Sequence, residues 1–132
     1  MWERHAKLFS AVIEERPGEV HALLHTGEDV NGRGIHGETP VFWAVKQNDI
    51  KIVKVLIEHG AELNCQDLDG TTPLHVAADR GRIEILKLLL EHGARTDLQD
   101  NEGKTALDYA VYEKKLREEI IVILIKADDQ NH

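Results

Sequence analysis

One cysteine, Cys65, stands among 132 residues, so no internal disulfide can form. A lone thiol fits a reducing compartment, and an intracellular place, cytoplasmic or nuclear, is expected. Ser10 is the only serine, which leaves almost nothing from which to build a serine-based triad. No Gly-rich phosphate loop ending in Gly-Lys-Ser/Thr, no nucleophile elbow and no zincin pair occurs, so catalysis is not expected. Long apolar runs are missing too. The longest, Ile120 to Ile125, has six residues, far short of the roughly 20 that a membrane span needs. The opening Met-Trp-Glu-Arg-His is followed by no apolar h-region, so a signal peptide is not expected. Three prolines and ten glycines leave no room for a long flexible linker. Positive charge is also in deficit, giving a formal net charge of −8. An acidic surface repels phosphate backbones and anionic lipid, which disfavours nucleic acid and membranes as partners.

What is present is a repeat. The length predicts a single domain, and the composition is that of a folded chain. Three segments align at a fixed offset of 33 residues: Gly37-Glu-Thr-Pro-Val-Phe-Trp-Ala-Val, Gly70-Thr-Thr-Pro-Leu-His-Val-Ala-Ala and Gly103-Lys-Thr-Ala-Leu-Asp-Tyr-Ala-Val. Their second halves align as well, Ile52-Val-Lys-Val-Leu-Ile-Glu-His-Gly-Ala with Ile85-Leu-Lys-Leu-Leu-Leu-Glu-His-Gly-Ala. A last copy reaches Ile120 after two extra residues near Arg117 and Glu118, and a degenerate first copy contains Val20 to Gly27.

Each copy has a physical reading. Thr39, Thr72 and Thr105 stand where a helix starts, and a threonine hydroxyl can accept from an orphan backbone N–H there. Pro40 and Pro73 follow at the first helical position, where a missing N–H costs nothing. Gly81 and Asn48 suit a left-handed helix end, a place that Lys114 fills against the rule. Ile85, Leu86, Leu88 and Leu89 lie at helical spacing, and Gly27, Gly60 and Gly93 stop these second helices. The polar stretch from Asn64 to Gly70 is rich in turn formers. The unit is therefore turn, helix, turn, helix and extended loop, and the fold class is all-α. One such unit cannot cover its own apolar face, and stacked neighbours cover it for each other.

Thr72-Pro-Leu-His-Val-Ala-Ala78 with Gly81, followed by Leu88-Leu-Leu-Glu-His-Gly-Ala94, resembles the ankyrin repeat. The resemblance covers about residues 5 to 126. It divides the chain into an N-terminal capping repeat 1–34, repeats 35–67 and 68–100, and a C-terminal capping repeat 101–132. It implies a solenoid of antiparallel helix pairs with projecting finger loops. The function it implies is binding of another protein through a concave face of finger tips and first helices, with no cofactor. The contact positions it implies are Ile35, His36, Glu38, Lys46 and Gln47 in the second unit. In the third they are Leu68, Asp69, Thr71, Asp79 and Arg80, and in the fourth Asn101, Glu102, Lys104, Tyr112 and Glu113. The motif histidine, which ties loops together in the family, survives only as His75, with Phe42 and Asp108 in its place elsewhere. The acidic total favours a partner with a basic or mixed-charge patch.

Five further features carry expectations. Leu8, Phe9, Val12 and Ile13 should face inward. Trp43 should pack between repeats, unless it serves as an exposed anchor. Ile120 to Ile125 is apolar all round where a cap should be polar outside, so it is exposed for self-association, docks onto a larger assembly as a regulatory subunit, or is shielded by the tail from Lys126. His21 and His25, four apart, could share a helix face. With no glutamate base after His21 and no third ligand evident, they read as solvated histidines and no metal is expected. Asn31 and Asn64 recur at one loop position and read as loop-stabilising, although such asparagines can be hydroxylated in ankyrin proteins of animal cells.

Overall fold

A computed structural model describes residues 5–112 and 118–130, the side chain of Tyr112 apart. Its helices are α1 (Ala6–Ile13), α2 (Pro17–His25), α3 (Pro40–Lys46), α4 (Ile50–Glu58), α5 (Pro73–Arg80), α6 (Ile83–Glu91), α7 (Ala106–Tyr112) and α8 (Glu118–Gln130). No strand occurs among the described residues. The helices pair as α1 with α2, α3 with α4, α5 with α6 and α7 with α8, as expected for an all-α repeat. First helices stack in one row, α1 on α3 on α5 on α7, and second helices in another, α2 on α4 on α6 on α8.

A small residue recurs in the row of first helices. Ala11, Ala44, Ala77 and Ala110 recur every 33 residues and are all buried. Around them Leu8, Val41, Phe42, Leu74 and Val76 join Ile52, Leu56, Ile85 and Leu89 from the second row in one continuous apolar core. α5 has neighbours on both sides, and its residues from Pro73 to Ala78 are all buried. Each first helix of the two middle units opens with threonine then proline, as the sequence implies. The left-handed helix ends fall at φ 57° for Glu15, 58° for Asn48 and 69° for Gly81, again 33 residues apart. Lys114 lies outside the described residues.

At each end an apolar residue stands at a position that carries an exposed or half-exposed polar residue in the middle units: Ile13 at that of Lys46 and Asp79, and Val122 at that of Lys54 and Lys87. Leu8, Phe9 and Val12 are buried, but Ile13 is exposed at the end of α1, which packs only on α2 and α3. At the far end Ile120 and Leu124 are buried, while Val122 and Ile125 are 48% and 45% exposed. The residues from Lys126 to Gln130 continue α8 and do not fold back over it, so the described part of the tail shields nothing.

The loops between helix pairs form fingers at 34–38, 67–71 and 100–104. They are tied tip to tip: Leu68 N donates to the carbonyl of His36 at 3.0 Å, and Asn101 N to that of Asp69 at 2.9 Å. A second ladder runs behind the tips. Arg33 donates to the carbonyl of Gln66 at 2.7 Å, and Gln66 to that of Gln99 at 2.8 Å. A third joins the deeper loops, where Asn31 Oδ1 accepts from Glu62 N at 2.7 Å and Asn64 Oδ1 from Arg95 N at 2.8 Å. The two asparagines are structural, as expected.

Finger contact is closest at Gly70. A Cβ there would stand 2.7 Å from the backbone N of Asn101, whereas at Gly103, which has the same φ of 79°, it would meet open space. Gly103→Ala therefore adds left-handed strain alone, about 1 kcal/mol. Gly70→Ala adds the same strain and a backbone clash, and should cost at least about 1 kcal/mol more by the overpacking scale. Urea unfolding of the two variants checks this order.

Candidate functional site

The candidate site is the line of finger tips and the ends of the first helices beside them. Its construction starts with the turns. Asp67 Oδ1 accepts from the backbone N of Asp69 at 2.9 Å and of Thr71 at 3.0 Å. Asp100 repeats this one unit later, accepting from Glu102 N and Lys104 N, both at 2.9 Å. The first finger has Gly34 where these aspartates stand. Glu38 supplies the missing carboxylate from the other side of the turn, with Oε2 accepting from His36 N at 3.0 Å. Gly34 leaves room for it, since a Cβ there would lie 2.1 Å from Glu38 Oε1. Glu38, expected as a contact residue, is accordingly buried and occupied inside its own finger.

Gln47 is likewise taken up by the fold. Its Nε2 donates to the carbonyl of Ile13 at 2.6 Å, and its Oε1 is buried. It ties α3 to α1 and offers no free amide to a partner. Thr71 is half-buried, and its backbone N donates to Asp67 inside its own finger. Lys104 is half-buried, with Nζ 3.5 Å from Glu102 and its carbonyl accepting from Asp100 N. Asn101 is exposed, yet its side-chain amide donates to the carbonyl of Leu68 at 2.8 Å.

The remaining expected positions form an accessible strip. Ile35 and Leu68 are 65% and 69% exposed at the tips of adjacent fingers, beside exposed His36 and Asp69. Glu102 is exposed on the third finger, and Asp79 and Arg80 are exposed at the end of α5. Lys46 is half-buried and places Nζ 5.0 Å from the centre of the Trp43 ring. Trp43 itself is half-buried and packs against the core, as expected. Tyr112 ends α7 with its side chain outside the described part, and Glu113 lies outside the described residues altogether.

Behind the strip, His75 does what the resemblance implies. Its Nδ1 accepts from Thr72 N at 3.1 Å, and Nε2 stands 2.8 Å from the carbonyl of Lys104. One tautomer serves both, with the proton on Nε2 donated to Lys104 in the next unit. Asp108 copies only the local half, accepting from Thr105 N at 2.9 Å. Phe42 copies neither, and the hydroxyl of Thr39 is left buried with no partner. The network is thinner than the full motif would make it.

One half-buried pair escaped sequence reasoning. Tyr109 donates its hydroxyl to Asp100 Oδ2 and meets His75 edge-on, with ring centres 4.9 Å apart. Burial, then the bond to Asp100, pushes the Tyr109 hydroxyl up to about 12. Burial acts to raise Asp100, but the bonds it accepts from Tyr109, Lys104 and Glu102 win and hold it below the usual carboxylate range. The only visible sign in sequence was nine-residue spacing across a turn, which points to nothing by itself.

Features that would suggest chemistry are sparse. Burial pushes the Cys65 thiol up despite neighbouring Arg33, which makes it a poor nucleophile. A groove of about 640 Å³ runs between the ends of α6 and α8, lined by Leu90, Ala94, Ile123 and Ala127 with charged residues at its rim. Among the described residues no group of three or more histidine, cysteine, aspartate or glutamate side chains could hold a metal ion. No helix among them is long and apolar enough to cross a membrane.

With this geometry in place, comparison with known proteins is specific. The family model described as ankyrin repeats (3 copies) matches residues 8–100 and again 43–132. No curated protein matches the chain.

The Tyr109–Asp100 pair gives a pH prediction. An unfolded tyrosine ionises near 10, so the contribution of Tyr109 is intact below that pH and is lost as pH rises from 10 to about 12. Asp100→Asn should bring the ionisation of Tyr109 back toward its ordinary value, and phenolate absorbance during a spectrophotometric titration reads it directly.

Proposed function

We propose that this chain, which belongs to the ankyrin-repeat family, is a non-catalytic module that binds another protein along its finger tips and first helices. Ankyrin repeats are generally protein–protein interaction modules. The observation that carries the reading for this strip is the exposure of Ile35 and Leu68 on adjacent fingers held by backbone hydrogen bonds. Apolar side chains standing in water on a pre-formed support have little ordering cost to meet when a partner covers them. The exposed charged groups beside them are Asp69, Asp79, Arg80 and Glu102, more acidic than basic. The partner that fits presents an apolar recess bordered by basic or mixed charge. The proposal includes an intracellular place, the units 1–34 and 101–132 as caps, and no cofactor.

Capture from a lysate of the source cell, run with the native chain and with a variant carrying Leu68→Ser, Asp69→Lys and Arg80→Glu, tests it. A protein held by the native chain should bind the variant at least about 30-fold more weakly, the loss of one strong contact. Equal capture by both moves binding away from the strip.

A second reading rests on Val122 and Ile125, exposed on the outer face of α8. It makes the chain a subunit that self-associates, or docks onto a larger assembly, through its last helix. Sedimentation separates the readings. The first expects a monomer at the highest concentration reached, and the second a dimer that Val122→Lys returns to monomer.

A further inference from the structure

The two ends of the stack are not alike. Among the described residues α1 and α2 have a helix pair on their following side alone, and α7 and α8 on their preceding side alone. Three columns of equivalent residues register the difference. Leu8, Val41 and Leu74 are buried, as are Val12, Val45 and Ala78, and Val20, Val53 and Leu86. The first unit buries its copies with no helix pair before it, so these columns are covered by the unit that follows. Their fourth copies are Leu107, Val111 and Ile121. Val111 is 62% exposed, and Leu107 and Ile121 are half-buried. Exposed Val122 and Ile125 extend this apolar face along α8.

The opposite end is finished differently. Glu19, exposed, stands where later units bury Ile52, Ile85 and Ile120. A terminal unit needs a polar outer face, and the first unit supplies a carboxylate where the last keeps apolar residues. α8 also has Asp128 at the place of Gly60 and Gly93, and it runs on to Gln130. It does not turn there to lay a further finger on this face.

We propose that the face of Leu107, Val111, Ile121, Val122 and Ile125 docks an amphipathic helix of a partner protein, with lysine or arginine flanking its apolar stripe. This rests on the reading in which the last helix docks, and it chooses between the occupants that reading allows. A helix fits because helices cover the same columns in the other three units. Basic flanks follow from the surrounding charge. The exposed charged groups of α7 and α8 are Asp108, Glu118, Glu119 and Asp129 against Lys126. Glu118 stands one turn before Val122 and Asp129 one turn after Ile125, on the same stripe of α8. These charges disfavour a second copy, since two such faces packed together set carboxylates against carboxylates. Stacking head to tail would bury Glu19 instead, without a partner charge on this face.

The test is a nuclear magnetic resonance titration of the full chain with a synthetic helical peptide of about 18 residues, or five turns. It carries a leucine stripe flanked by lysine, and a second peptide carries glutamate in place of the lysines. Amide shifts of α7 and α8 should move with the lysine peptide. Val111→Lys and Ile121→Lys, their folds checked by circular dichroism, should each bind it at least about tenfold more weakly, as should the native chain the glutamate peptide. Ile13→Lys makes the same charge change at the other end and should bind as the native chain does, and so should the variant with Leu68→Ser, Asp69→Lys and Arg80→Glu. Shifts confined to the finger tips, or native affinity in Ile121→Lys, overturn the proposal. Equal binding of both peptides at α7 and α8 overturns the basic flanks and leaves the docking reading standing. Binding of neither overturns both.

Discussion

Helix pairs stack at one interval, and a small buried residue, the alanine at 11, 44, 77 and 110, recurs in every first helix. The finger loops inherit that interval. Tip-to-tip bonds of 2.9–3.0 Å hold only if successive fingers keep it. A larger residue at any of these four places would spread the helices and strain the core. It would also open the ladders of Arg33, Gln66 and Asn101 that keep the tips in line. The apolar core and the polar loops are thus two readings of one spacing.

That spacing is why so much was legible. A period of 33 with Thr-Pro at the head and Gly at the tail states the helices, their order and their stacking, because every copy repeats the same local chemistry. What was not legible is what happens where a copy departs. Gly34 in place of aspartate looks like a loosened turn, yet Glu38 reaches back and restores it, at the loss of one expected contact residue. Gln47 sits at a contact position by alignment and spends its amide on Ile13. Both compensations lie across a gap that pattern alone does not cross. His59 likewise meets His21 over 38 residues, an offset belonging to no single unit.

The ends show what neighbours contribute. A middle helix such as α5 buries nearly every residue, while α1 and α8 repeat similar chemistry with one flank open. Ile13 at one end and Val122 and Ile125 at the other are exposed on these helices. At the finger tips Ile35 and Leu68 are exposed on loops tied by backbone hydrogen bonds. The tips combine exposed apolar groups with a rigid support, which is the combination a binding surface needs.

The absence of histidine at position 42 has a mechanical consequence. His75 bolts the third unit to the fourth through the Lys104 carbonyl, alongside two bonds from Asn101. Between the second and third units Phe42 provides no such bolt, and the Thr39 hydroxyl is stranded. A stack of this kind transmits tension from unit to unit, so it yields where adjoining units are least fastened. Between the second and third units Arg82, at the head of α6, donates instead to the carbonyl of Lys46 at 2.8 Å, so a helix end carries the load that the motif histidine carries one unit later.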